Sequence, residues 1–239
     1  MKISVAQARP EAGNIEKNIA KHLQLIGLAE GAELIVFPEL SLTGYEPTLA
    51  ANLATDIEDK KLDVLQTVSD KQRITICVGL PVKQEEGVSI SMVIIQPHEP
   101  RQLYSKTYLH ADEQSFFVSH QNDINLTLSS RITFAICYEL SVPEHTSNAF
   151  RNGENIYIAS VSKTKRGIDK TLPTLAGIAS THKATVLLSN AIGTEDGGQS
   201  AGHSSAWDNK GVLLAQMNEE DEGIILLDTE THETEVRKL

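Results

Sequence analysis

The sequence predicts an α/β protein in which two strand-and-helix halves share a core. Three observations carry that expectation: a strand–helix–strand unit at the N-terminus, a restart of the same rhythm after Pro143, and no linker, repeat or low-complexity tract between the two. The first unit opens with KISVAQA (2–8) and closes with ELIVFPE (33–39). Between these runs Ile15, Ile19, Leu23 and Ile26 recur at helical spacing behind Gly13 and Asn14. Leu62, Leu65 and Val68 mark a second helix that leads into ITICVGL (74–80). QEEG is a turn signal before VSISMVIIQP, and RQLYSK, INLTLSS (124–130) and RITFAICYE follow as strands. After Pro143 helical residues run to Gly153, NIYIASV is a strand, a helix spans about 168–183, and TVLLSNAIG is the next strand. SSAWDN, VLLAQMN and GIILLDT close the series, with the acidic NEEDEG (218–223) as a solvated turn. The expected organisation is one domain over residues 1–239, long enough to remove roughly 70–75% of its unfolded surface from water.

Composition narrows the function. Hydrophobic residues make up 40% and charged residues 22%, the balance of an ordinary globular protein. With 21 Lys and Arg against 32 Asp and Glu the formal charge is −11, and no basic stripe offsets it, so a nucleic-acid partner is not expected. No run approaches the length of a membrane span, and MKISVAQARPEAGN lacks the apolar centre of a signal peptide. The two cysteines have neither metal-type nor redox spacing. A reduced, cytoplasmic setting away from membranes is the expectation.

Three polar residues fall where strands run out, which is where open α/β sheets place ligand sites. Glu39 ends LIVFPE, Lys106 ends QLYSK and Cys137 ends RITFAIC. Taken singly they read as a solvated carboxylate, a surface lysine and a packed thiol. Together they are a complete set for acyl transfer. A thiol near its ordinary pKa of ~8.5 is mostly protonated and needs a base, here Glu39. Attack on an amide carbonyl builds negative charge on oxygen, for which Lys106 and the backbone N–H of Tyr138 are the donors at hand. Cys77 lies mid-strand in ITICVGL and reads as packing. Tyr45 and Tyr138 are candidates for lining the pocket, and Trp207 for a core or rim aromatic.

VFPELSLTGY, YSKTYLHADEQSFF and FAICYELSVPE resemble, in order and separation, the three signature blocks of the nitrilase superfamily of carbon-nitrogen hydrolases. LLSNAIG and AGHSSAWDNKGVLLA resemble its later strands, so the likeness spans nearly the whole chain. The resemblance implies a four-layer αββα sandwich and a Glu-Lys-Cys triad, which falls on Glu39, Lys106 and Cys137. It also implies a second glutamate, Glu113, that helps hold the lysine and the substrate, and a homodimer or higher homo-oligomer paired through outer helices. Neither a metal nor an organic cofactor is implied. Where many members carry Cys-Tyr-Asp followed by an arginine, this chain has Glu139 and Ser141, so substrate assignments from arginine-bearing branches are not carried over.

The expected activity is hydrolysis of small non-peptide amides through a cysteine thioester, with a small-molecule amide as the partner. Nitrilase or N-carbamoyl amide hydrolase activity is the alternative within the same superfamily. An amide is preferred to a nitrile because the chain ends at Leu239, soon after GIILLDT, like the shorter amidase-like members. Glu139 and Glu144 would disfavour strongly anionic substrates if they faced the pocket. A Cys-His hydrolase would pair Cys137 with His145, His182 or His203, but Cys137 lacks the glycine-flanked nucleophile elbow. A metal enzyme lacks H-E-x-x-H or paired-cysteine spacing, and a non-catalytic binding module would not need the triad.

Overall fold

Alternation of apolar residues along the strands decides the architecture. The computed structural model describes residues 1–122, 124, 126 and 128–239. In chain order the elements are β1 (Lys2–Gln7), α1 (Ile15–Leu28), β2 (Leu34–Val36), α2 (Ala50–Leu53), α3 (Asp63–Gln72), β3 (Thr75–Gln84), β4 (Gly87–Ile95) and β5 (Gln102–Ser105). Then come β6 (Ile132–Ile136), α4 (Pro143–Ala149), β7 (Ile156–Val161), α5 (Lys165–His182), β8 (Thr185–Asn190), β9 (Ile192–Glu195), β10 (Gly198–Ala201), β11 (Ser205–Trp207), β12 (Leu213–Gln216), β13 (Gly223–Asp228) and β14 (Thr234–Lys238). Seven strands form one sheet in the order β14-β13-β1-β2-β3-β4-β5, and five form a second in the order β12-β11-β8-β7-β6. β9 and β10 make a separate hairpin.

Both sheets are apolar on both faces. Ile3, Val5, Leu34, Val36, Cys77 and Met92 point from the first sheet toward Phe134, Ile136, Ile158 and Leu187 of the second, forming the inner core. The alternate residues Ile35, Ile76, Val78 and Val93 turn outward and are covered by Ile19, Leu25 and Ile26 of α1 and Leu65 of α3. On the opposite outside, Tyr157, Ala159, Val186 and Leu188 meet Ile168, Leu175 and Ala179 of α5, with Trp207 buried among them. The result is the four-layer αββα sandwich, because a strand with apolar residues at every position can only be buried on both sides. Buried serines fasten the inner interface: Ser160 Oγ donates to the Phe37 carbonyl at 2.8 Å and Ser189 Oγ to the Ala6 carbonyl at 2.7 Å.

Several elements differ from the sequence expectation. TVLLSNAIG is two strands, broken at Ala191, with Gly193 at φ +95° in the second. β10 and β14 were not expected. β14 is a half-exposed edge strand carrying Glu235, Arg237 and Lys238, and such charged edges lack the alternation that marks buried strands. GIILLDT is therefore followed by one more strand. The helix after Pro143 stops at Ala149, and the next begins at Lys165, ahead of its first buried apolar residue. Of the strand expected at 124–130, residues 124, 126 and 128–130 carry no strand, and Asn125 and Thr127 lie outside the described residues. NEEDEG is a turn, but its Asn218 and Asp221 carbonyls accept the buried Gln7 amide at 2.7 and 2.9 Å.

Candidate active site

Cys137 follows β6 directly and opens a short 3₁₀ turn, Cys137–Ser141. Its φ is +47°, a left-handed conformation uncommon for a side chain larger than glycine. The reversal takes the residue out of the strand and leaves its side chain half-buried between the sheets. Cys137 thus lacks flanking glycines, as expected, yet stands on a strained strand-to-turn reversal. Its Sγ lies 3.9 Å from the Ser162 carbonyl oxygen, and the Glu39 carboxylate is within its hydrogen-bonding reach.

Glu39 stands just past β2 on a segment that folds against β3, with Leu40 at φ +51°. Gly79 of β3 makes that seat. A Cβ there would lie 2.4 Å from the Leu40 nitrogen and 2.6 Å from the Pro38 oxygen, so the backbone of Pro38–Leu40 occupies the space of the missing side chain. Lys106 follows β5 and is fully buried. Its Nζ donates to Glu39 Oε1 at 2.8 Å and to Glu113 Oε1 at 2.6 Å. Glu113 ends a single 3₁₀ turn; its other oxygen accepts the His110 N–H at 2.7 Å, and Oε1 also accepts the Tyr45 hydroxyl at 2.9 Å. The second oxygen of Glu39 accepts the Ser162 N–H at 3.3 Å.

The structure therefore brings Glu39, Lys106, Glu113 and Cys137 to one place, with Tyr45 beside them. Burial raises the Glu39 carboxyl above its ordinary range, against the pull of the Lys106 ammonium. Burial opposes the charge on Lys106, but Glu39, Cys137 and Glu113 outweigh it and hold the ammonium above its ordinary value. Burial and the Glu39 charge push the Cys137 thiol up to about 11, with Lys163 and then Lys106 pulling it down. Such a thiol stays protonated at neutral pH until a base takes its proton.

Tyr138 is exposed, its ring packs edge-on to His110 at 5.3 Å, and it borders an open groove of about 640 Å³ with Thr107, Leu109, Gln114 and Val142. Glu139 does not face a pocket. One oxygen accepts the Thr107 N–H at 2.6 Å; the other accepts the Ile136 N–H at 2.8 Å and the Tyr104 hydroxyl at 2.9 Å, so the carboxylate ties the Cys137 turn to the Lys106 segment. Glu144 is exposed on α4. Among the described residues no histidine contacts Cys137: His145 bonds Tyr104, His182 stacks on Phe150, and His203 lies near Glu219.

Sequence reasoning passed over the far wall. Ser162 and Lys163 follow β7, and Glu195 at the end of β9 accepts the Ser162 and Ser200 hydroxyls and the Tyr45 N–H. Their only mark in the sequence is polarity at the end of NIYIASV and of the run after TVLLSNA, the signal that selected Glu39, Lys106 and Cys137.

Comparison with known proteins places the chain in a family and matches its fold. The chain is 25% identical to a glutamine-dependent NAD(+) synthetase of Thermotoga maritima over 98% of its own length and 42% of that protein's, so it spans less than half of that relative. It is 26% identical to a 2-oxoglutaramate amidase of Bacillus subtilis, over 87% of this chain and 82% of that one. A mutant amidase from Nesterenkonia sp. AN1 shares its fold with a TM-score of 0.84 at 21% identity, covering 95% of this chain and 89% of that chain. The model of the carbon-nitrogen hydrolase family matches residues 2–237, and the chain belongs to that family, within the nitrilase superfamily.

Proposed function

We propose that the protein is an amidase that hydrolyses small linear amides through a thioester on Cys137. The observation that carries this reading is the convergence of a half-buried thiol at a strained turn, a buried carboxylate within its reach and an ammonium 2.8 Å from that carboxylate. Two of the relatives are named for primary amides, glutamine and 2-oxoglutaramate. In the first half-reaction Sγ bonds to the amide carbonyl carbon as Glu39 takes the thiol proton. The oxyanion is held by the Lys106 ammonium and the Tyr138 N–H. The C–N bond breaks, Glu39 returns the proton to the nitrogen, and ammonia or an amine leaves. Water then adds to the thioester while Glu39 takes its proton; the C–S bond breaks, the acid is released and the proton returns to sulfur. Lys106 can remain charged throughout because two carboxylates flank it. Glu113 positions Lys106 and, through Tyr45, one wall of the pocket.

The test is ammonia release from a panel of small amides by wild type and Cys137→Ala, with the acyl-enzyme trapped at low pH and weighed by intact mass. Turnover and a mass gain equal to the acyl group are expected for wild type only. Rapid turnover of a matched nitrile with negligible amide turnover would replace amidase by nitrilase. Self-association through outer helices belongs to the same proposal, and a monomeric mass by light scattering across a wide concentration range would remove it. Among the described residues no helix is long and apolar enough to cross a membrane.

A further inference from the structure

The cluster draws its parts from both sheets. Glu39 and Tyr45 stand on the segment that follows β2 of the first sheet, whereas Cys137 and Ser162 follow β6 and β7 of the second. The reaction needs the two sides in register, yet the Ser162 N–H reaches Glu39 Oε2 at a long 3.3 Å. Glu195 spans the same gap. It is buried at the end of β9, where its Oε1 accepts the Tyr45 N–H at 3.0 Å and its Oε2 accepts the Ser162 hydroxyl at 2.5 Å and the Ser200 hydroxyl at 2.9 Å. One carboxylate therefore grips a residue of each side. Tyr45 carries the restraint through its hydroxyl to Glu113 at 2.9 Å, and Glu113 to Lys106 at 2.6 Å. Ser162 carries it through its N–H to Glu39, and its carbonyl oxygen lies 3.9 Å from Cys137 Sγ.

The hairpin that carries Glu195 is held from both sides as well. β9 and β10 pair with each other outside the two sheets, closed by Asp196 at φ +48° and Gly197 at φ +69°, the left-handed pair that a two-residue hairpin turn requires. The Ile192 N–H donates to the Ala8 carbonyl, just past β1, and the Ala201 N–H to the Lys163 carbonyl, just past β7, both at 2.9 Å. The Asp196 N–H donates to Glu46 Oε1 at 3.1 Å, next to Tyr45 in the chain. Three donors converge on Glu195, and an ionised carboxylate, which only accepts, satisfies all of them at once. A glutamine amide of the same shape cannot. Its NH₂ group meets either the Tyr45 N–H or the two hydroxyls, which must then turn their hydrogens away.

We propose that Glu195 is a positioning residue that sets Glu39 and Lys106 against Cys137 by clamping Tyr45 on one side of the site to Ser162 on the other. This rests on the amidase reading and adds to it a residue that acts through others and takes no proton from the thiol or the water. Bond making at sulfur and proton transfer to Glu39 depend on sub-ångström alignment, so release of the clamp slows both half-reactions even though every group of the triad is still present.

The experiment is a mutant cycle read by steady-state ammonia release from propionamide, at a temperature where thermal unfolding shows every variant fully folded. Glu195→Gln should lower kcat about 10- to 100-fold, the cost of a small misalignment, with KM changed far less. In a Ser162→Ala/Tyr45→Phe background, where the hydroxyl it grips and the hydroxyl that reaches Glu113 are both gone, the same substitution should cost less than about threefold, because groups that act as one chain are not additive. Asp196→Asn, which removes an exposed charge from the tip of the same hairpin and tolerates the left-handed backbone, should match wild type. A lowered unfolding temperature with unchanged kcat, or an equal loss in both backgrounds, would overturn the positioning role while the amidase reading stands. Should Glu195→Gln fail to fold, Ser162→Ala carries the test alone: a fall in kcat of about tenfold supports the clamp, and an unchanged kcat overturns it. If wild type neither turns over nor is acylated by propionamide or any other small amide of the panel, the amidase reading falls and the positioning role with it.

Discussion

Cys77 and Cys137 sit in runs of nearly the same composition, ITICVGL and ITFAICYEL, on sheets that face each other across one core. Cys77 is in the middle of β3, fully buried, with Ile76 and Val78 on either side, and burial alone drives its thiol far above the ordinary range. Cys137 comes one residue after β6 ends. The backbone reverses there, the side chain is half-exposed, and two carboxylates and two ammonium groups act on it. The strand supplies rigidity in both cases. What separates the two thiols is position: one lies within a strand, the other is the first residue beyond a strand, beside groups that other strand ends deliver to it.

The comparison breaks most sharply if the base is removed. Glu39→Gln keeps the volume of the side chain and its place beside Lys106 but cannot accept the thiol proton, leaving Cys137 as idle as Cys77. Turnover should fall about 10²- to 10⁴-fold in a protein that still unfolds cooperatively. Glu113→Gln should act mainly through substrate and Lys106 placement and cost less. Near-wild-type turnover in Glu39→Gln would show that another group takes the proton.

Chemical labelling sharpens the same contrast without turnover. Iodoacetamide reacts with thiolate, and a thiol held up to about 11 is protonated throughout the neutral range. The thiolate fraction of Cys137, and with it the alkylation rate, should therefore rise about tenfold per pH unit from neutrality toward pH 9. Cys77 should stay unlabelled until the protein unfolds. Peptide mass mapping distinguishes the two sites. A rate already level at pH 7 would mean that the resting thiol has lost its proton.

β3 also bears on the site, although its cysteine is buried away from it. Gly79→Ala places a methyl group against backbone atoms of Pro38–Leu40, at 2.4 and 2.6 Å, where no side chain can rotate away. Overpacking of this kind costs about 1–3 kcal/mol, and the segment that must move holds Glu39. Thermal unfolding and turnover should both decline. Gly177→Ala in α5, where a Cβ meets nothing within 4 Å, is the control and should be neutral or slightly stabilising. If both variants behave alike, the seat under Glu39 is looser than these distances imply.

The α/β class and the two strand-and-helix halves were legible because strands such as ITICVGL and NIYIASV read as apolar runs and α1 and α3 announce themselves by period, whereas the four layers came from the resemblance to a known family. β14 was not, since an edge strand half open to water needs no apolar alternation. At the site, Glu39, Lys106 and Cys137 stood out as polar residues at strand ends, whereas Glu113 needed the resemblance to a known family. The direction a carboxylate faces is not written locally: Glu139 turns inward because Thr107, 32 residues earlier, presents an N–H to it. Ser162 and Glu195 were passed over for the same reason, because their place beside Glu39 and Tyr45 depends on which segments the fold brings together. Gly79 left a readable trace, a lone glycine inside a buried strand, which marks a close approach of another segment.

The smallest expected effect is the one that isolates packing from chemistry. The Cys77 thiol fills space in the inner core with Val36 and Met92, and the residue's polar tie to the Glu39 segment is its backbone carbonyl, which accepts the Phe37 N–H at 2.9 Å and is kept in Cys77→Ala. Cys77→Ala deletes a single sulfur, a smaller loss than the Leu→Ala truncations that cost 2–5 kcal/mol, so destabilisation of about 1 kcal/mol is expected. Its kcat and KM should match wild type, because β3 reaches the site through Gly79 and the Glu39 segment, not through the thiol. Urea unfolding and ammonia release on the same preparation give both numbers. Loss of turnover in a stably folded Cys77→Ala protein would mean that the inner core transmits strain to Cys137, and the two cysteines would then have to be treated as one coupled unit.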